Sequence, residues 1–296
     1  MAKRLHVFKC EPTIQQLEEI VKQGNQFCHA SNILAKVNNN TLKKEQYDAL
    51  EKVVPAYYDY YRQMVAIISD NKKDIEKKVK LLNQYYNHFD EWGLEDLFTS
   101  QGKFRSTVLE EFTFLLFKPL VESLKAKYDK EGKFHSGSAR AYTNMYFSAA
   151  DIKNFIKHPN PTINVKNQDF AIYRSMKIDF EGEEQSIDIP VIAIENKTYL
   201  DRTMLEGIIA TAEKLKQGSP YTKMIVVAEA YEVSLDVDPK YSRIDQIYVL
   251  RKCKERDISK PIDSDVVWTL FKDVKEHLER PWSNVELKMK KNGVIM

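Results

Sequence analysis

The chain of 296 residues holds three cysteines, Cys10, Cys28 and Cys253, too few and too scattered for a disulfide framework or a paired-cysteine metal site. A sparse, odd set of thiols fits a reducing compartment, and a cytoplasmic protein is expected. No stretch approaches the ~18 uncharged apolar residues of a membrane span. The charged start MAKRLHVFKCEP lacks the apolar run of an export signal. His6, His29, His88, His158 and His277 have no mutual metal-ligand spacing and read as structural or surface residues. No internal repeat or low-complexity tract is present, which argues against a solenoid. Neither sign of charge prevails: 45 Lys plus Arg stand against 43 Asp plus Glu, a net +2, where a nucleic-acid-binding chain is ordinarily basic.

What is present is apolar mass, 43% hydrophobic and 11% aromatic residues, enough for a large buried core. The length suits one large domain or two of ordinary size, and two lobes are expected. Counted along the chain, the charge divides. Residues 1–100 carry 14 basic and 14 acidic side chains, and 101–160 carry 10 and 6. Residues 161–240 carry 9 and 14, and 241–296 carry 12 and 9. An acidic segment between two basic ones is the distribution of a protein that gathers carboxylates around a cation and surrounds them with phosphate-binding charge.

The first hundred residues read as helices. Thr13 opens a capping-box pattern ahead of Ile14, Leu17, Ile20 and Val21, with a stop at Gly24. Thr41 caps a second helix that Pro55 interrupts. From Tyr61 to Phe89 apolar residues recur at spacings of four and three, the seam of a coiled coil, with Lys72 as its polar member. Asp70-Asn71 leaves open whether this is one rod or a helical hairpin. Gly93 and residues 99–102 mark a boundary. We therefore divide the chain into a helical N-terminal region, 1–98, that embraces a substrate or dimerises, and a second domain, 99–296.

That second domain is α/β. Phe104, Val108, Leu109, Phe112, Leu115, Leu116 and Leu120 form a wide helical stripe that Pro119 kinks or ends. Residues 127–147 show no clear period and read as a long polar loop. Alternation from Phe170 to Phe180, a turn at 181–184, and the apolar run Ile187–Ile194 predict a hairpin whose second strand is covered on both faces. A helix bearing Leu205, Ile208, Ala212 and Leu215 follows, then strands at 224–228 and 247–250, and a last helix capped by Ser264. The crossover places the strand at 224–228 parallel to its neighbour. A mixed sheet flanked by helices results.

The covered strand ends in Ile194-Glu195-Asn196-Lys197. Glu195 and Lys197, two apart, share one face, and charge at the end of an oily strand is costly unless partnered. Folding back about the turn near 183 brings Asp169 level with them, while Asp179 and Asp188 stay beside the turn. Two carboxylates, Asp169 and Glu195, with the backbone carbonyl of Asn196 between them, make an oxygen site suited to Mg²⁺. Lys197 can then orient a water and stabilise a phosphate oxygen. Glu110 or Glu111, on the buried helix, could add one more carboxylate; Glu110 is our candidate.

This arrangement, Asp169 followed by Glu195-Asn196-Lys197 on a hairpin between helices, resembles the PD-(D/E)xK nuclease superfamily, with Gln168 standing where the pattern has Pro. The stretch IPVIAIENKTYLDRTMLEGIIATAEKLK and the upstream FRSTVLEEF are more narrowly similar to the type II restriction endonucleases grouped with BbvCI, DdeI and Bpu-ten-I. The resemblance is strongest from about 104 to 230. It implies a PD-(D/E)xK restriction-endonuclease-like core and Mg²⁺-dependent cleavage of double-stranded DNA at a short CCTNAGC-like or CTNAG-like site. It also implies 5′-phosphate products and one strand cut per active site. The partners it implies are a homologous second subunit or a second copy of this chain, and a cognate methyltransferase.

Within 127–147, Lys133, His135, Ser138, Arg140, Tyr142 and Asn144 supply groups that read bases and hold phosphates. Arg251, Lys252, Lys254 and Arg256 form a second basic group. A junction-resolving or repair nuclease of the same fold, or a nucleic-acid-binding protein without activity, are the alternative functions.

Overall fold

The computed structural model describes residues 7–24, 26–98, 104–180, 182–255, 257, 259–282 and 285–293. His6, the boundary at 99–102, Glu181 of the turn and Arg256 lie outside these. The helical region comprises α1 (Glu11–Lys22), α2 (Cys28–Val37), α3 (Lys44–Ala66), α4 (Lys72–Glu91) and α5 (Leu94–Leu97). Then come α6 (Ser106–Tyr128), β1 (Phe134–Phe147), α7 (Ile152–Lys157), β2 (Pro161–Phe180) and β3 (Glu183–Leu200). The chain continues with α8 (Arg202–Gly218), β4 (Lys223–Tyr231), β5 (Gln246–Val249), α9 (Ser264–Glu279) and α10 (Val285–Asn292).

The stripe from Tyr61 to Phe89 is a hairpin of α3 and α4, because the Asn71 side chain accepts the Asp74 N–H at 3.0 Å and starts a new helix there. Pro55 does not interrupt α3, whose residues on both sides, Val53, Val54, Tyr57 and Tyr60, are buried in the same core. Nor does Pro119 end α6. Proline cannot donate to the carbonyl of Leu115, and Lys78 of α4 supplies a donor from Nζ at 2.9 Å. Burial pulls the Lys78 ammonium down to about 8. Three expected caps shift as well. Helix α1 starts after Cys10, not at Thr13. Helix α3 follows Lys43, whose N–H is held by the Gln46 side chain. Asp263, rather than Ser264, caps α9, because its carboxylate reaches the N–H groups of Asp265 and Val266.

The sheet order is β1-β2-β3-β4-β5, antiparallel from β1 to β3 and parallel from β3 to β5. Strand β1 corrects the expected loop at 127–147. Its inward residues, Ala139, Ala141 and Thr143, are too small or polar to register as an apolar period, yet they are buried between the exposed Ser138 and Arg140 and the partly exposed Tyr142 and Asn144. Strand β2 begins at Pro161 rather than near 169 because β1 pairs with it along its length. The β1–β2–β3 unit curls until Ala141 meets Asp188.

Two layers cover the sheet. Ala193, Met224, Val226 and Ala228 pack on Leu205, Ile208, Ala212 and Leu215 of α8. Phe170, Ile172, Ile192, Ile194, Ile225 and Val227 face α6 and α9, and that core runs without a break into α1–α4. A buried ion cluster reinforces the join: Glu229 of β4 accepts from Arg105 at 3.2 Å and Arg251 at 2.8 Å, and both guanidiniums lie over the Tyr86 ring of α4. Arg251 is thus committed to the interior and not to phosphate, and Lys252 pairs with Asp263.

Candidate active site

Phe170 stands opposite Ile194 and Ala171 opposite Ala193, so the next position puts Asp169 opposite Glu195. Strand alternation sends Glu195 and Lys197 to the α8 face with Ala193, and Asn196 to the α6 face with Ile194. Lys197 Nζ donates to Asp169 Oδ2 at 3.1 Å and to Glu195 Oε2 at 2.8 Å. The Asn196 N–H donates to the same Asp169 oxygen at 2.9 Å. A strand residue turns its N–H and C=O to the same side, so the Asn196 carbonyl also faces β2.

All three side chains are mostly shielded, with Glu195 13% exposed and Lys197 24%. Burial, reinforced by the negative charge of Asp169, raises the Glu195 carboxyl above its ordinary value, and Lys197 only partly offsets this. Burial works against the charge on Lys197, but Asp169 and Glu195 outweigh it and lift the ammonium above its usual range.

These groups line a cavity of about 600 Å³ between β2, β3 and α8. Arg140 of β1 and Lys166 and Asn167 of β2 line it too, as do Gly207 and Thr211 of α8. Of the six residues expected to contact DNA, Arg140 lines this cavity. Tyr142 lies against Gly218 at the end of α8, and Asn144 is paired with Asn164 at 2.9 Å. Ser138 sits exposed at a bulge in β1. His135 lies tilted against Tyr173, four residues along β2 from Asp169 and so about 13 Å away, and Lys133 pairs with Glu131. Lys166, Asn167 and Gly207 were not singled out from sequence; the alternation of Ile163 and Val165 ahead of Asp169 was the available signal for the first two.

Glu110 is not brought to this cavity. Helix α6 covers the opposite face, where Thr113 Oγ1 donates to Asn196 Oδ1 at 2.8 Å, and Glu110 lies beside Cys28, whose thiol burial and the charges of Glu111 and Glu110 push up. Glu111 turns into the helical region instead. Its carboxylate accepts from Tyr57 Oη at 2.6 Å and from the N–H groups of His29 and Ala30, and burial raises it to about 7. Gln168, at the Pro position of the superfamily pattern, is buried on the α6 face beside Asn196, and its Oε1 and Asn196 Nδ2 lack partners among the described residues.

Among the described residues no group of three or more His, Cys, Asp or Glu side chains is poised for a metal. The donor set at this site is therefore two carboxylates and the Asn196 carbonyl, beside a cavity roomy enough for water. Hard oxygen ligands in that number fit a magnesium-sized cation that keeps several waters.

The sequence pattern of the Bpu10I restriction endonuclease family matches residues 101–280. The chain belongs to that family. It is a type II restriction endonuclease. The matched span of the Bpu10I family takes in Arg140, Lys166, Asp169, Glu195, Lys197 and Gly207 and starts where the helical region ends. The fold is similar to that of a solved structure described as the native BbvCI A2B2 tetramer at low resolution. The TM-score is 0.59 at 17% identity, covering 93% of this chain and 99% of that one. At that identity the similarity concerns the fold, and it extends over the helical region as well as the Bpu10I-family span. Comparison with curated proteins finds no match. No helix among the described residues is long and apolar enough to cross a membrane.

Proposed function

We propose that this chain is one subunit of a type II restriction endonuclease that hydrolyses one DNA strand per active site, at a short CCTNAGC-like or CTNAG-like sequence, leaving a 5′-phosphate. The observation that carries this is Lys197 held between Asp169 and Glu195 in a cavity whose other cations are Arg140 and Lys166. Asp169, Glu195 and the Asn196 carbonyl would hold Mg²⁺. When bound, that ion supplies positive charge at the scissile phosphate and lowers the barrier to hydroxide formation.

The chain's own groups do the rest. Lys197, anchored by two carboxylates, presents its remaining N–H to the attacking water and keeps it in line with phosphorus. Arg140 and Lys166 hold phosphate oxygens of the strand, fixing its position without reading its sequence. Thr113 fixes the Asn196 amide from behind, which keeps the Asn196 carbonyl on the side of Asp169. The expected role of Glu110 has no support from this geometry, since the residue stands on the helix covering the opposite face.

A two-strand cut then requires two such sites. We assign the second to a homologous subunit or a second copy; the architecture of the BbvCI structure, an A2B2 tetramer, supports that reading. Helices 1–98 would embrace the DNA or take part in that pairing, a cognate methyltransferase would accompany the enzyme, and the cytoplasm would be its compartment. The experiment incubates the purified chain, alone and with any neighbouring homologous gene product, with plasmid and Mg²⁺. Linearisation by the intact pair, and nicking when one chain carries Lys197→Ala, is the expected result. An intact plasmid in every combination overturns the reading.

A further inference from the structure

Glycine is the poorest helix former after proline, and the chain has nine. Of the eight described, six have positive φ, which other residues adopt only under strain. At Gly218 a side chain would strike the Thr143 carbonyl. Gly207 alone among them has neither reason. It lies in the interior of α8, and a Cβ built on it would meet nothing within 4 Å. Nothing in the folded chain itself calls for glycine there.

The open space beside Gly207 is the cavity that Asp169, Glu195 and Lys197 share. One turn on, Thr211 donates its hydroxyl back to the Gly207 carbonyl at 3.0 Å, so this turn of α8 offers the cavity no free hydroxyl proton from Thr211 and no side chain from Gly207. The cations Arg140 and Lys166 line the same cavity. The α8 wall, lined also by Met204, Ile208 and Thr211, is bare at Gly207, and with the cations, the carboxylates and Lys197 around the same space it forms a slot for an extended polyanion whose sugars need room and whose phosphates need charge.

We propose that the Gly207 turn of α8 is the seat of the DNA strand at the cleavage site, its missing side chain leaving room for the sugar–phosphate backbone to approach within reach of Lys197. This rests on the nuclease reading of the same cavity. It makes Gly207 a positioning residue whose helix-weakening cost is offset by substrate access.

The test uses the full chain, with its homologous subunit where cleavage needs one. Gly207→Ala and Gly207→Leu are compared with wild type and Lys197→Ala in thermal melting, in binding of duplex DNA with Ca²⁺, and in steady-state plasmid cleavage with Mg²⁺. Alanine and leucine are both better helix formers, so melting should rise by about 2 °C in each. Gly207→Leu should nonetheless raise KM and the DNA dissociation constant by about tenfold or more, with a smaller change in kcat, and Gly207→Ala should fall between. A leucine variant with wild-type KM and affinity overturns the seat alone, provided that Lys197→Ala abolishes cleavage. A fall in melting temperature in both variants also overturns it, because glycine would then serve the fold. A wild-type chain that neither binds nor cuts DNA overturns the seat and the nuclease reading together.

Discussion

Lys78 on α4 donates to the carbonyl of Leu115 on α6, the one that Pro119 leaves without its helical partner. The bond joins the N-terminal helices to the helix that backs the nuclease sheet. Removing the donor leaves a buried carbonyl unpaired, a loss of about 1–3 kcal/mol. Lys78→Met should lower stability by that amount in urea unfolding. In a Pro119→Ala background the alanine N–H bonds Leu115 itself, so the same substitution should cost clearly less. Equal costs in the two backgrounds would show that the two residues are not coupled.

Lys197 is expected to be indispensable for cleavage while contributing less to binding. Lys197→Met should reduce the single-turnover cleavage rate by at least about 10²-fold, with duplex affinity in Ca²⁺ changed far less. Parallel losses in both would mean that Lys197 serves binding.

In the proposed reading Asp169 and Glu195 would face phosphate with negative charge, and a divalent cation would offset it. Specific DNA binding measured by fluorescence anisotropy should tighten on adding Ca²⁺ and weaken with a chelator. Asp169→Asn should make binding less dependent on the ion. Affinity of the wild-type chain that ignores the chelator would remove this role.

Arg140 lines the cavity and Lys133 does not. Arg140→Ala should weaken DNA binding and lower the slope of log affinity against log salt by about 1, whereas Lys133→Ala should leave the slope unchanged. Equal effects would mean that the whole of β1 tracks the DNA.

Glu111 titrates in the folded protein at about 7 instead of 4.5. Its native form therefore holds a proton that the unfolded chain has released, and stability falls as pH rises between those values. Compared with Glu111→Gln, the wild type should lose about 3 kcal/mol as pH rises from 4.5 through 7, the loss levelling off above 7. His29, buried beside it and lowered to about 3, acts in the opposite sense, its neutral form favouring the fold as pH rises toward 6.5. Removing the Glu111 titration should expose that rise, and unfolding curves across pH 4.5–7.5 would detect it.

The sequence by itself determined what depends on neighbours along the chain. The oily run from Ile187 to Ile194 dictates a covered strand, alternation at 170–180 dictates its hairpin partner, and the spacing of Glu195 and Lys197 puts both on one face, with Asp169 level with them. Only the tertiary structure decided the rest. Ala139, Ala141 and Thr143 carry no apolar period, so β1 exists because β2 and α8 bury it, and Arg140 reaches the site only through that pairing. Glu110 and Glu111 are alike in sequence, and it is the packing of α6 against α2 and α3 that turns one toward Cys28 and the other toward Tyr57 and His29. Pro119 breaks no helix because Lys78, 37 residues from Leu115 along the chain, replaces the N–H it lacks. Periodicity reports which face of a segment is apolar, whereas pairing partners, compensating donors and cavity walls come from distant segments whose contributions leave no local trace.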